Sequence, residues 1–291
     1  MNKERFDRQM ALFGEEGQMK IAAARVAVVG VGGLGTHVVQ QLALLGVGSL
    51  ALIDSEELDP TNRNRYVTAR HDDPCPGTLK VDIGERTATL IDPGVHVDKV
   101  PDSLVSEDAF ADVIGSDYVF GCLDSEGARL VLNELCAAYG RPYFDLASEV
   151  IPGDPLVYGG RVCIAWDGDG CLVCHGLLDV AEAQANLAGP EARRDRDALY
   201  GVDRAALGRS GPSVVSINGV VASLGVTEFM AAVTGIRAPK KLLTYYGHMG
   251  RLTSPAEPPD ADCYYCKAIR GRGAAADVQR YIREGVGAFL R

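Results

Sequence analysis

The run Arg25-Val26-Ala27-Val28-Val29, followed at once by Gly30-Val31-Gly32-Gly33-Leu34-Gly35, constrains this chain more than any other stretch. Five residues rich in valine read as a buried parallel strand. Apolar positions at Val38, Val39, Leu42 and Leu45 then mark one face of a helix that stops at Gly46. Glycine at 30, 32 and 35 fits the turn between them. The first permits a tight turn, the second lets a phosphate approach the backbone, and the third lets helix and strand pack closely. The helix N-terminus adds unpaired N–H groups and a positive dipole for that phosphate.

The alternation continues. Strands are predicted over 49–53, 95–100, 117–121 and 142–147, with helices over 79–90, 106–114 and 125–139. That order predicts an α/β fold with a doubly wound, mostly parallel sheet. Its ligands belong beyond the carboxyl ends of the strands, at Gly30, Asp54 and Asp124. Past residue 150 the pattern changes to a strand over 156–165, two Cys-x-x-Cys pairs and an apolar helix over 213–234, which predicts an antiparallel extension. A charge-mixed segment, 191–209, carries five arginines against four acids and reads as a mobile crossover loop.

Composition narrows the class. The 291 residues are 47% hydrophobic and 23% charged, which excludes a disordered or fibrous chain. A net charge of −10 argues against a general binder of nucleic acid or anionic membrane. The charge is uneven. Residues 267–291 hold six basic side chains against Asp277 and Glu284, a net of +4, so the rest carries −14. This basic tail reads as a solvated helix end. No signal peptide is visible behind Met1, and Glu228 inside the apolar helix argues for a core element over a membrane span. The expected setting is the cytoplasm, where eight cysteines point to metal or chemistry before disulfides.

Taken alone, the glycine loop and Asp54, 19 residues after Gly35 and placed to hold a ribose, fit an NAD(P)-dependent oxidoreductase. The residues that follow favour a triphosphate. Asn62, Arg63, Asn64 and Arg65 lie in the loop after Asp54, and arginine neutralises and forks onto phosphate oxygens. Lys80 opens the next helix. Asp124, at the end of the fourth strand, offers a hard carboxylate for Mg²⁺.

Cys171-Leu172-Val173-Cys174 and Cys263-Tyr264-Tyr265-Cys266 supply four thiolates, with 88 residues between Cys174 and Cys263. Four thiolates make a closed, structural Zn²⁺ site. Cys171 to His175 also spells the c-type haem attachment motif, but haem attachment needs export. A thioredoxin-like redox pair is disfavoured because neither pair opens a helix after a first strand. Of the other cysteines, Cys122, Cys136 and Cys163 read as structural. Cys75, between two prolines, reads as exposed and worth testing for reactivity.

In its motifs the chain resembles the ThiF/MoeB adenylyltransferases, relatives of the ubiquitin-activating enzymes. The resemblance rests on Arg5-Phe6-Asp7-Arg8-Gln9, the glycine loop, Leu52-Ile53-Asp54, Thr61-Asn62-Arg63-Asn64-Arg65, Lys80, Cys122-Leu123-Asp124-Ser125 and the two Cys-x-x-Cys pairs. It implies a single adenylation domain over 1–266, with an N-terminal arm (1–24), a nucleotide-binding half (25–150), a carrier-binding and zinc half (151–266), and the tail beyond. It implies ATP and Mg²⁺ as cofactors. Asp54 would hold the ribose, Asn62, Arg65 and Lys80 the phosphates, and Asp124 the Mg²⁺. Arg8 would reach the phosphates of a neighbouring subunit, making the protein a homodimer. The partner would be a small ubiquitin-like or sulfur-carrier protein ending in glycine.

Two departures matter. The interval 175–234 contains no cysteine, so a thioester step in the crossover region is not supported. Ser125 stands where many relatives carry an amide, and a relative that dehydrates a modified tRNA base also has serine there. The other readings are a non-catalytic partner subunit of the same fold and, less favoured, the oxidoreductase.

Overall fold

The structure, a computed structural model, describes residues 3–191, 194, 212–255 and 260–290. Most of the charge-mixed segment 191–209 lies outside these residues. Helix α1 (Lys3–Ala23) leads into β1 (Arg25–Val29), α2 (Gly33–Leu45) and β2 (Ser49–Ile53). Then come α3 (Lys80–Ile91), β3 (His96–Val100), α4 (Glu107–Gly115), β4 (Tyr118–Gly121), α5 (Glu126–Tyr139) and β5 (Tyr143–Ile151). Strand β6 (Val157–Ala165), α6 (Val180–Leu187), α7 (Val215–Thr234), β7 (Leu242–Tyr246), β8 (Arg251–Thr253) and α8 (Arg280–Arg283) complete the described strands and α-helices.

These strands form one sheet in the order β3-β2-β1-β4-β5-β6-β7-β8. Strands β1 to β5 run parallel, and β5 through β8 are antiparallel neighbours. The chain winds outward from β1 to β3, crosses back, and winds the other way from β4. The reversal of strand order therefore falls between β1 and β4, where such sheets open a crevice. Register aligns the strand ends. Val29 pairs with Ile53 and Gly121, and Ile53 pairs with Val100. Gly30, Asp54, Pro101 and Cys122 consequently follow one another in a row along the sheet's upper edge.

Burial on both faces explains the valine-rich strand. Ala27 and Val29 enter the core shared with α4 and α5, while Val26 and Val28 enter the core shared with α2 and α7. In the second core Phe120 and Phe144 stack at 5.0 Å, and Phe229 of α7 meets both edge-on. Helix α7 is long and apolar enough to cross a membrane by composition, yet its Phe229 and Ala222 are completely buried against the sheet. Glu228, 3% exposed, is held by both guanidinium nitrogens of Arg237 (2.7 and 2.6 Å) and by the Lys240 N–H.

The segment after residue 266 departs from the solvated helix end read from its charge. Val278, Tyr281 and Val286 are buried, and Arg280 and the Tyr281 hydroxyl both bond the buried Glu134 of α5 (2.7 and 2.8 Å). Charge counting saw the basic residues; the spacing of the apolar residues between them is what docks the segment.

Candidate nucleotide and metal sites

The glycine loop owes its shape to close approaches. Gly30 has φ +87°, and a Cβ there would lie 2.6 Å from the Cys122 carbonyl oxygen. A Cβ on Gly35 would lie 2.0 Å from the Gly30 carbonyl oxygen. Strand, turn and helix can meet this tightly only without side chains. Gly32, the N-cap of α2, leaves that helix start without a side-chain cap, so its first N–H groups remain free for an anion.

Around this turn the structure gathers the side chains read from the sequence. Asp54, directly after β2, accepts the Val31 N–H (2.7 Å) through one oxygen and the Glu56 N–H (2.9 Å) through the other. Burial pushes its carboxyl up from the ordinary range, and Lys80 pulls against that shift. Lys80, first residue of α3, is 7% exposed, with its ammonium paired to Glu56 and 5.7 Å from the Tyr66 ring centre. Burial lowers its pKa, but Asp54, Tyr66 and Glu56 outweigh that and raise it overall. Lys80 is therefore a fixed cation.

Arg65 crosses Gly33, its Cγ 3.0 Å from where a Cβ would stand, and donates to the Asn62 side chain (2.7 Å) and the Thr61 carbonyl (2.6 Å). Asn62 thus orients the guanidinium. Arg63 departs from the sequence reading that put two arginines on phosphate: it donates to the carbonyls of His71 and Asp73. It clamps the loop to the 71–73 turn, while Arg65 holds the turn over 61–62.

Asp124 is exposed beyond the end of β4. The loop that carries it is fixed from below. Arg129 donates twice to the Leu123 carbonyl (3.0 and 2.6 Å) and lies 3.7 Å from the fully buried Asp145. Asp145 also binds Arg161 and the Tyr143 hydroxyl (2.9 Å), and Arg161 reaches the Leu177 carbonyl (3.2 Å). The sequence reading missed this network; its signal was one acid inside the apolar run Tyr143-Phe144-Asp145-Leu146. Removing the acid strands two mostly buried guanidinium groups. Asp145→Ala is expected to cost about 3–5 kcal/mol, measured as the change in urea unfolding free energy.

The reading also missed Glu56 and Tyr66, which set the charge and position of Lys80. Arg8 does not join the site of its own chain. Its neighbours Phe6 and Gln9 lie against Gly46 and the Leu45 carbonyl, at the far end of α2 and roughly 20 Å of helix from Gly33. Arg8 itself is exposed.

The four cysteines of the two pairs meet, with every sulfur within 4.8 Å of the others. Cys171 lies 3.8 Å from Cys174 and from Cys263, and Cys174 lies 3.5 Å from Cys266. Sulfurs at about 2.3 Å from a tetrahedral Zn²⁺ stand roughly 3.8 Å apart, so the donor set fits that ion. A haem would need Cys171 and Cys174 turned away from this cluster. The cluster follows β6, whose last residue Ala165 pairs with the first residue of β5. It therefore lies at the end of the sheet opposite the glycine loop, where it staples the chain. Cys122, Cys136 and Cys163 have pKa values raised by burial, so they stay protonated and inert. Cys75 is only half exposed, and its thiol donates to the Leu58 carbonyl (2.8 Å), contrary to the open position read from its flanking prolines.

The chain is 33% identical over 172 residues to the mouse adenylyltransferase and sulfurtransferase MOCS3, covering 58% of this chain and 36% of that protein. It is 33% identical over 141 residues to the SAMP-activating enzyme E1 of Haloferax volcanii, covering 48% and 52%. It is 28% identical over 261 residues to protein HesA of Leptolyngbya boryana, covering 86% and 79%. The chain thus spans between a third and about half of the first two relatives. The crystal structure of E. coli MccB with AMPCPP and MccA superimposes with a TM-score of 0.70 at 19% identity, covering 91% of this chain and 75% of that one, a likeness of fold. The ThiF family model matches residues 6–267, and the chain belongs to the ThiF family.

Proposed function

We propose that this protein is an ATP-dependent adenylyltransferase that activates the C-terminal carboxylate of a small ubiquitin-like or sulfur-carrier protein. The observation that carries this is the convergence of Lys80, Arg65 and an uncapped helix start on one glycine turn, with the Asp124 carboxylate at the adjoining strand end. Asp54 holds the ribose, and Asn62, Arg65 and Lys80 hold the phosphates. Asp124 would hold Mg²⁺, which would supply positive charge beside the phosphates.

A carboxylate oxygen attacks the α-phosphorus, the bond from that phosphorus to the bridging oxygen breaks, and pyrophosphate leaves with the electron pair. The nucleophile is already ionised at neutral pH, so no general base is needed. The chain's task is to neutralise and align two anions. Lys80, kept charged by Asp54 and Glu56, suits that task. The family's relatives named as activating enzymes and adenylyltransferases support the reaction class.

The protein acts as a homodimer in which Arg8 serves the partner's nucleotide. The interval 175–234 lacks cysteine, so the adenylate passes to an external nucleophile. Zn²⁺ on Cys171, Cys174, Cys263 and Cys266 is structural, and such a thiolate site suits the reducing cytoplasm. A non-catalytic partner subunit is disfavoured because Arg8, Lys80 and Asp124 are all present.

Two measurements test this. Saturating ATP with Mg²⁺ is expected to raise the melting temperature by about 5–10 °C, since a ligand at 100 times its Kd adds roughly 2.7 kcal/mol. NAD⁺ is expected to leave it unchanged; stabilisation by NAD⁺ alone favours the oxidoreductase. Intact-mass analysis with candidate carriers is expected to show an AMP adduct on a glycine-terminated carrier. Absence of pyrophosphate release with every carboxylate offered contradicts the proposal.

A further inference from the structure

A cavity of about 810 Å³ opens beyond the carboxyl ends of β2 and β3, a volume typical of small-ligand sites. Its walls come from three places. Ser55, Asp59 and Asn62 follow β2, the 101–105 loop follows β3, and Gly285, Gly287 and Ala288 come from the C-terminal segment. This last wall lies outside residues 6–267, the part matched by the family.

The segment is wedged there by specific contacts. Arg280 and Tyr281 are tied to Glu134. Val286 is buried, and the backbone at Gly287 runs so close to the 101–105 loop that a Cβ would lie 2.7 Å from the Val105 carbonyl oxygen. Leu290 then packs on Gly127, at the start of α5 and three residues from Asp124.

Electrostatics decide which end of a nucleotide the cavity accepts. Glu57, Asp59 and Asp102 line it beside Glu56, which is paired with Lys80, so a polyphosphate chain would still meet like charge. The phosphates belong on the other side of Asp54, at the uncapped start of α2 with Arg65 and Lys80. Ser55 follows the ribose-binding Asp54 directly, so the base projects from the ribose into the cavity, toward the tail.

We propose that the C-terminal segment around Val286–Phe289 is a wall of the nucleoside subsite, with the base seated in the cavity that this segment closes together with the 101–105 loop. This inference rests on the adenylation reading above. Nucleotide affinity in this protein then depends on a segment that the family match does not include.

The test compares ATP with inorganic tripolyphosphate, each with Mg²⁺, by titration calorimetry. A chain ending at Glu284 keeps Arg280 and Tyr281 on Glu134. It is expected to bind ATP about tenfold more weakly while binding tripolyphosphate as the full chain does. Unchanged ATP affinity, or an equal loss for both ligands, overturns the proposal. Failure of the full chain to bind ATP at all overturns the adenylation reading beneath it. Hydrogen exchange on the intact chain needs no truncation: amides of 286–290 are expected to slow with ATP and not with tripolyphosphate. Identical exchange in the two cases overturns the proposal as well.

Discussion

Asp124→Ala is expected to lower ATP–pyrophosphate exchange by at least about a hundredfold, because a group that stabilises developing charge on phosphate is worth roughly 10²–10³ in rate. Folding should be untouched. Asp124 is exposed, and the loop beneath it is held through the Leu123 carbonyl by Arg129, not through the aspartate itself. The melting temperature should therefore stay within about 2 °C of the parent, as for surface changes away from buried features. Arg65→Ala should show the same loss of exchange with a slightly larger effect on the loop, since Asn62 and the Thr61 carbonyl lose their donor. Radiolabelled pyrophosphate exchange and a thermal melt on the same preparation separate the two effects. Full exchange in a folded Asp124→Ala protein would remove the metal role from this residue.

The second large effect concerns stability. Cys263→Ser with Cys266→Ser leaves two of four thiol donors, and a closed four-sulfur site does not survive that loss. Metal analysis is expected to fall from one Zn²⁺ per chain to nearly none. The consequence should be severe, because structural zinc sites supply about 10–16 kcal/mol of apparent binding free energy at pH 7 in small domains. That is comparable with the whole margin of a typical fold, about 5–15 kcal/mol. The cluster joins the loop after β6 to the segment that leads into the C-terminal turns, so its loss releases both. The double variant should melt much earlier, with the tail exchanging hydrogen fastest. A parent protein purified without zinc and melting unchanged in chelator would contradict this.

Much of the architecture was legible because it is local. Val26 to Val29, Gly30 and Gly35 announce a strand, a turn and a close-packed helix within a dozen residues, and the structure supplies the clashes that make glycine obligatory there. Helix and strand limits fell within a residue or so for β1, β2 and α5; β5 extends to Ile151, beyond the predicted end at 147, because it pairs with β6 along its whole length. What the sequence hid is which partner each charge chooses. Arg63 and Arg65 look equivalent on paper, yet one clamps the His71 and Asp73 carbonyls and the other faces the glycine turn. Glu56 pairs with Lys80 across 24 residues, and Asp145 collects Arg129 and Arg161 from two different elements. Such pairings depend on the sheet order, which periodicity does not encode. The tail is the same case: its charge was visible, whereas its docking depends on Glu134, a residue 146 positions away from Arg280.

The most direct measurement is a crystal structure with a non-hydrolysable ATP analogue and Mg²⁺. Its phosphates should lie over Gly32 and Gly33 within reach of Arg65 and Lys80, with Asp54 on the ribose hydroxyls and the metal on Asp124. A nucleotide seated elsewhere, or a site that stays empty at saturating analogue, would contradict the mechanism at its root.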